Sequence, residues 1–400
     1  MILTFAECRL DCDALTLTRD GAPVPVEPQV FDLVRLLAES PGRVVTRDEI
    51  IARVWGGRIV SDSAISARIA AARKAVGDDG KRQAVIRTVA RRGLQMAVPV
   101  DRDAPEAPAP VTPPRVRYAR NAAGQMIAYT VTGDGPPVLN VSFFARAVER
   151  EWQVPSRRLL LEALAARHRL VCYDEIGAGL STRGMEGVSI DSKAGEIRAV
   201  ADAAGLERFA IMAESGGAQQ AIAFAAAWPE RVTALVLSGG YADGRLRRGT
   251  ADSDFVRAMI HEGWSPGSVA ISRAYLTAYC PDGPFEAAAE VAQMMQEATH
   301  RADMLYQRDL SNGASVAHLL DRITCPTLVI HARGDMVHPL AEGQKLAAGI
   351  RRAELHVLES GNHLPLAGSE GIRPYLDQIT GFLAAHAGDA APTGAWPQDW

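Results

Sequence analysis

Along the first hundred residues the hydrophobic positions change period several times, and each change marks an element. Polar and apolar residues alternate through Ala14-Leu15-Thr16-Leu17-Thr18 and turn at Arg19-Asp20-Gly21-Ala22, which predicts a small antiparallel sheet over residues 1–25. Val30, Leu33, Val34 and Leu37 then fall at helical spacing until Ser40-Pro41-Gly42 stops them. Thr46-Arg47-Asp48-Glu49 reads as a capping box: the Thr46 hydroxyl accepts from the Glu49 amide while Glu49 reaches back, starting a second short helix through Ile50, Ile51 and Val54. A third helix follows Ser61-Asp62-Ser63 with a narrow apolar stripe of Ile65, Ile69, Ala72 and Val76. The run from Ile86 to Met96 reads as a basic hairpin.

Residues 101–114 are rich in Pro and Ala and predict an extended linker. The pattern therefore divides the chain into a domain over 1–98, a linker over 99–114, a larger domain over 115–387 and a loose tail over 388–400. In the larger domain short apolar runs predict strands at Val116–Ala119, Ile127–Val131, Val138–Val141, Leu170–Cys172, Phe209–Met212, Pro326–Ile330 and Leu355–Leu358. From about 240 to 320 helical patterns interrupt this rhythm.

Composition sharpens the division. The chain has 400 residues, 48% of them apolar and 22% charged, enough for more than one real core. Its net charge of −4 is uneven: residues 1–100 hold 15 Lys and Arg against 12 Asp and Glu, and the remainder holds 28 against 35. A basic front end on an acidic body predicts a polyanion partner for the first domain only. The five cysteines are odd in number, scattered and without a C-x-x-C pair, which fits a reducing compartment, with Cys8 and Cys12 as packing residues rather than metal ligands. The N-terminus lacks the basic start and apolar core of a signal peptide, and no apolar run approaches the ~20 residues a membrane span needs. A soluble cytoplasmic protein without membrane association, metal or cofactor is expected.

The candidate chemistry centres on Phe209–Ala218. Four apolar residues predict a buried strand, Ala213 to Gly217 a tight turn, and the Ala-rich run to Trp228 a helix closed by Pro229. Such a turn strains Ser215, so its neighbours must be small, and Ala213, Gly216 and Gly217 are. Asp335 and His363 each lie in a loop just past a later strand, giving the order Ser, Asp, His. In these stretches, and in Tyr173-Asp174-Glu175-Ile176-Gly177-Ala178-Gly179-Leu180-Ser181, the C-terminal three quarters of the chain resembles the α/β-hydrolase fold family. The resemblance implies a mostly parallel sheet with helices on both faces and the 240–320 segment as a helical cap. It also implies Ser215 as nucleophile, His363 as general base and Asp335 as the residue that orients it. The Gly216 amide would supply one oxyanion donor. The second would come from Phe143 or Phe144, where relatives carry a His-Gly turn. Glu214 reads as a pocket acid or an elbow filler. His331 and His338 invite a metal reading, but the hydrolase pattern accounts for their loop better. Most of the cap's Phe255, Met259, His261, Trp264, Tyr275, Tyr279, Met294, Met295, Met304 and Tyr306 read as its own core; a few, with Phe143 and Phe144, are expected to line an apolar pocket for a small ligand.

Residues 1 to 98 resemble the winged-helix DNA-binding domain of the OmpR/PhoB class, an α+β fold. The motifs are Pro41-Gly42-Arg43-Val44-Val45-Thr46-Arg47, Arg53-Val54-Trp55-Gly56, and Ile86-Arg87-Thr88-Val89 with Arg91-Arg92-Gly93. The resemblance implies double-stranded DNA as partner, with Ser63, Ser66 and Arg68 reading bases and Arg73, Lys74, Arg87, Thr88, Arg91 and Arg92 on the backbone. Together the two resemblances imply a one-component transcriptional regulator, expected to work as a homodimer and to sense a small apolar ligand. The alternative is an active serine esterase or lactonase targeted or regulated by its DNA-binding domain.

Overall fold

The computed structural model describes residues 2–12, 16–55, 60–90, 92–103, 114–142, 145–249, 254–264, 274 and 277–388. The chain divides into two compact units, Met1–Pro110 and Val111–Trp400.

The first unit runs β1 (Ile2–Phe5), β2 (Cys8–Asp11), β3 (Thr16–Arg19), β4 (Ala22–Val24), α1 (Pro28–Ala38), β5 (Val44–Val45), α2 (Arg47–Trp55), α3 (Asp62–Ala75), β6 (Ile86–Val89), β7 (Gly93–Met96) and β8 (Val100–Asp103). The predicted first sheet is present as the meander β4-β3-β2-β1, and β8 joins it beside β1. Its tight turn at Asp20-Gly21 has both φ angles positive, 50° and 76°, the left-handed geometry that an Asp-Gly pair tolerates. The strand β8 is a correction, since residues 100–103 fall in the stretch whose composition marks a linker. Val100 pairs with Phe5 and Asp103 with Ile2, so these four residues, read as linker or its edge, belong to the sheet. Helices α1 to α3 close over one core of Leu3, Phe5, Leu17, Leu33, Leu37 and Ile86. The Ser61 hydroxyl accepts the Ala64 amide at the start of α3, and Thr46 Oγ1 accepts the Glu49 amide at the start of α2. The Glu49 carboxylate also takes both terminal nitrogens of Arg43, and these hydrogen bonds, with the Arg43 charge, hold the Glu49 pKa below the ordinary value.

In the second unit the strands are β9 (Arg117–Arg120), β10 (Met126–Thr132), β11 (Pro137–Val141), β12 (Arg169–Tyr173), β13 (Phe209–Glu214), β14 (Val232–Ser238), β15 (Thr327–Ala332) and β16 (Ala353–Leu358). They form one sheet in the order β16-β15-β14-β13-β11-β12-β10-β9, parallel except where β10 meets β9 and β12. Alternate residues feed two cores. Ile211, Leu235 and Val329 pack under α5 (Ile190–Ala203), α6 (Gly217–Ala227) and α10 (Leu340–Gly349), while Met212, Val236 and Ile330 pack under α4 (Pro155–Ala165) and α11 (Ile372–His386). Strand β14 is a buried apolar run between β13 and β15 that the sequence reading passed over. The segment read as a cap carries α7 (Asp254–Gly263), α8 (Phe285–Ala298) and α9 (Arg301–Gly313), with Ile260, Trp264, Val291, Met294 and Met304 in one core with Ala147, Val154 and Leu366. Among the described residues no helix is long and apolar enough to cross a membrane.

Candidate functional site

The sheet order places β11 between β12 and β13, so the chain reverses its winding there and opens a crevice at the strands' carboxyl ends. Ser215 stands at that crevice. Its φ of 51° is left-handed, a strained setting for a residue with a Cβ, held because its amide donates to the Ser238 carbonyl at 2.8 Å. The small neighbour Gly217 is required by close approach: a Cβ there would come within 2.7 Å of the Ser142 carbonyl oxygen.

Three strand ends bring the predicted titratable residues together. Ser215 Oγ lies 2.8 Å from His363 Nε2, and His363 Nδ1 lies 2.6 Å from Asp335 Oδ2. The other Asp335 oxygen accepts the amides of Val337 and His338 at 2.8 and 2.9 Å, which fixes the carboxylate plane. Burial alone would raise the Asp335 pKa, but His363 and the His338 amide outweigh it and hold it below the ordinary value. The ring of His363 fits only because residue 239 is glycine: a Cβ there would sit 2.9 Å from His363 Cε1. Hydroxyl, imidazole and buried carboxylate thus stand in the order that proton transfer from the hydroxyl requires.

His331 and His338 do not form a metal site with it, and among the described residues no cluster of His, Cys, Asp or Glu fits one. His331 Nε2 is 2.7 Å from the His338 carbonyl oxygen, and burial lowers its pKa. His338 stacks on Tyr241 at 3.8 Å between ring centres, kept neutral by burial and by the nearby His363, Arg248 and Arg245.

Glu214 requires a correction. It is 1% exposed and turns away from the cavity to take both terminal nitrogens of Arg157, at 2.9 and 2.7 Å. Burial would raise its pKa, but the Arg157 charge lowers it below the ordinary value. Arg157 also meets Glu151 at 3.0 Å, and Glu151 pairs with Arg146 at 2.9 Å, so four buried charges alternate behind the elbow. Arg146 in turn donates to the Asn140 carbonyl on β11, bracing the strand that ends at Val141. Phe143 and Phe144, the expected source of the second oxyanion donor, lie outside the described residues, as do Arg91 and Tyr275.

Above Ser215 and Gly216 a cavity encloses about 1050 Å³ of empty space, its open mouth included. Of the aromatic and Met positions singled out in the cap, Tyr279, Met295 and Met304 line it, while Trp264 and Met294 are core. The lining is mixed rather than apolar as expected. Arg245, Gln307, Arg308, Ser311 and Asn312 also line it, and nothing in their sequence spacing had marked them.

In the first unit Ser63, Ser66 and Lys74 are exposed along α3, and Arg87, Thr88 and Arg92 are exposed on the hairpin. Arg68 is half-buried and held by Glu27 at 2.9 Å and Gln29 at 3.1 Å. Arg73 is a correction: it is 8% exposed, with Nε on the Ile86 carbonyl at 3.0 Å and a terminal nitrogen on Thr88 Oγ1 at 2.8 Å. It ties the third helix to the hairpin through both of these bonds. Asp78 works beside it by accepting the amides of Ile86, Val85, Asp79 and Ala84; these outweigh burial and bring its pKa to about 2.

Residues 21–96 match the family of transcriptional regulatory proteins, C terminal, and residues 151–368, more than half of the chain, match the alpha/beta hydrolase fold family. A putative carbamate hydrolase, RutD, of Azorhizobium caulinodans is 30% identical over 247 residues, 59% of this chain and 87% of its own. A 2-hydroxy-6-oxononadienedioate/2-hydroxy-6-oxononatrienedioate hydrolase of Paraburkholderia phymatum is 28% identical over 263 residues, 62% of this chain and 84% of its own. Among solved structures, the esterase RhEst1 of Rhodococcus sp. ECU1013 shares the fold at a TM-score of 0.56 and 24% identity, covering 68% of this chain and 98% of its own. The chain belongs to the α/β hydrolase fold family, its hydrolase domain fused behind an OmpR/PhoB-type DNA-binding domain.

Proposed function

We propose that this protein is a DNA-binding transcriptional regulator whose hydrolase domain takes a small ester or related acyl compound into the cavity above Ser215 and cleaves it there. The observation that carries the reading is the hydrogen-bonded chain from Ser215 through His363 to Asp335, opening on that cavity. His363 takes the proton as Ser215 Oγ attacks the acyl carbon, and the developing imidazolium is stabilised by Asp335. The oxyanion is met by the Gly216 amide, at the start of α6, where helix-end amides favour negative charge. His363 then returns the proton to the leaving group, and water repeats the sequence to free the acid.

Binding that favours one arrangement of the cap shifts the population competent to bind DNA, and hydrolysis resets it. The regulator works as a homodimer, because one winged helix buries little DNA surface and pairing raises affinity through effective concentration. The deciding experiment is labelling of the full chain with a fluorophosphonate probe, in wild type, Ser215→Ala and His363→Ala. Labelling of wild type lost in both variants is the expected result. An unlabelled wild type that still binds DNA would leave the cavity a receptor without turnover.

A further inference from the structure

The residue after the serine has no side chain, and hydroxyls stand over the space this leaves. A Cβ on residue 216 would meet Tyr241 Oη at 3.3 Å and Ser311 Oγ at 3.5 Å, and Gly216, Tyr241 and Ser311 all line the cavity with Ser215 and His363. Tyr241 comes from the segment after β14, and Ser311 from α9 in the cap segment. Sheet and cap thus bring two hydroxyls together directly above the elbow.

The phenol is fixed through its ring. Tyr241 is 4% exposed and stacks on His338 at 3.8 Å with 16° between planes, and the Arg248 guanidinium lies 5.9 Å from the ring centre. Its hydroxyl is oriented through α9. Gln307 Nε2 donates to Ser311 Oγ at 3.3 Å, and Ser311 is in turn bonded to Tyr241. With Ser311 Oγ accepting from Gln307, its own hydrogen goes to the phenol oxygen, and the phenol hydrogen is left for the cavity. Burial pushes the Tyr241 pKa up to about 12, and the Ser311 bond draws it back only in part, as a bond donated to the phenol oxygen does. The phenol therefore keeps its proton through the neutral range.

We propose that Tyr241 is a further catalytic residue of this site: its hydroxyl donates to the oxyanion that forms when Ser215 adds to an acyl carbon, beside the Gly216 amide. The inference rests on the reading of Ser215 as nucleophile. As the Ser215 Oγ–carbon bond forms, the carbonyl π pair moves onto oxygen; the phenol hydrogen stays on Tyr241, and the pair returns when the carbonyl re-forms. A donor already aimed in a buried cleft needs no reorganisation at that moment.

The test compares wild type with Tyr241→Phe, which keeps the ring on His338, in the full chain. The substrates are p-nitrophenyl butyrate and its thiono analogue, in which sulfur, a weak acceptor, replaces the carbonyl oxygen. The variant is expected to lose about ten-fold or more in kcat on the oxygen ester with KM little changed, and distinctly less on the thiono ester. A variant with wild-type kcat, or one that loses equally on both esters, overturns the proposal while leaving Ser215 chemistry standing. Where the wild type takes a fluorophosphonate label but hydrolyses neither ester, the labelling rate carries the comparison. A fall of about ten-fold in Tyr241→Phe then supports the donor, and an unchanged rate overturns it. A wild type neither labelled nor active overturns the hydrolase reading and this role of Tyr241 together.

Discussion

The backbone amide of His363 donates to the carbonyl of Tyr279 at 2.8 Å, so the imidazole facing Ser215 hangs from the cap as well as from the sheet. The Tyr279 ring also meets the His363 ring edge-on at 5.6 Å. Just beyond, Asn362 accepts the Asp282 amide at 3.0 Å and donates to the Gly283 carbonyl at 2.7 Å.

Asn362 is 1% exposed, so Asn362→Ala removes two buried hydrogen bonds and costs about 2 kcal/mol of stability. It also frees the His363 loop from the cap. Fluorophosphonate labelling is expected to slow by about ten-fold at a temperature where the fold is intact by circular dichroism. Labelling at the wild-type rate would mean that the sheet alone positions His363.

The four alternating charges behind the elbow give a second prediction. Arg157→Met strands Glu214 beside Ser215 in a buried setting, a loss of about 3–5 kcal/mol that calorimetry would record as a lower Tm. Adding Glu214→Gln removes the uncompensated carboxylate and is expected to recover part of that loss. A double variant less stable than Arg157→Met would show that Glu214 is held mainly by Arg146.

These relationships mark where sequence reading reaches. The elbow, the Ser-Asp-His order and the three N-terminal helices were legible because each rests on local spacing: small residues around Ser215, loops just past strands, and caps at Thr46 and Ser61. Strand β14 went unread although it is an apolar run buried on both faces like β13 and β15, which such runs did announce. Glu214 was legible as an acid beside the serine but not as Arg157's partner, 57 residues away in the chain. Arg73 carries the charge of a phosphate contact, and its burial against Ile86 and Thr88 is not legible in the sequence. The polar residues lining the cavity come from α9 and from the segment after β14, so no single stretch displays them together.

Asp78 predicts an acid sensitivity in the first unit. Its pKa falls from an ordinary 3.8 to about 2 in the folded chain, so the folded state holds fewer protons than the unfolded one between those values. The stabilisation is complete above about pH 4 and is lost as pH falls toward 2. Asp78→Asn keeps the size but weakens the acceptors, and is expected to flatten the acid limb of the first unit's unfolding curve, followed by amide exchange at Val85 and Ile86. An unchanged limb would assign the sensitivity to other carboxylates.

The corrected roles of the arginines separate DNA contact from support. Lys74, Arg87 and Arg92 are exposed on the third helix and hairpin, whereas Arg73 is buried between them. Lys74→Ala and Arg87→Ala are each expected to weaken DNA binding across sequences and to lower the slope of log affinity against log salt by about 1, with unfolding unaltered. Arg73→Ala acts through the fold: it removes two hydrogen bonds from a buried cation and costs about 2–3 kcal/mol. Its DNA binding is expected to fall with temperature ahead of the wild type while the salt slope at low temperature stays the same. A reduced slope in Arg73→Ala at a temperature where the domain is folded would return that residue to the phosphate-contacting set and require the helix to turn when it meets DNA.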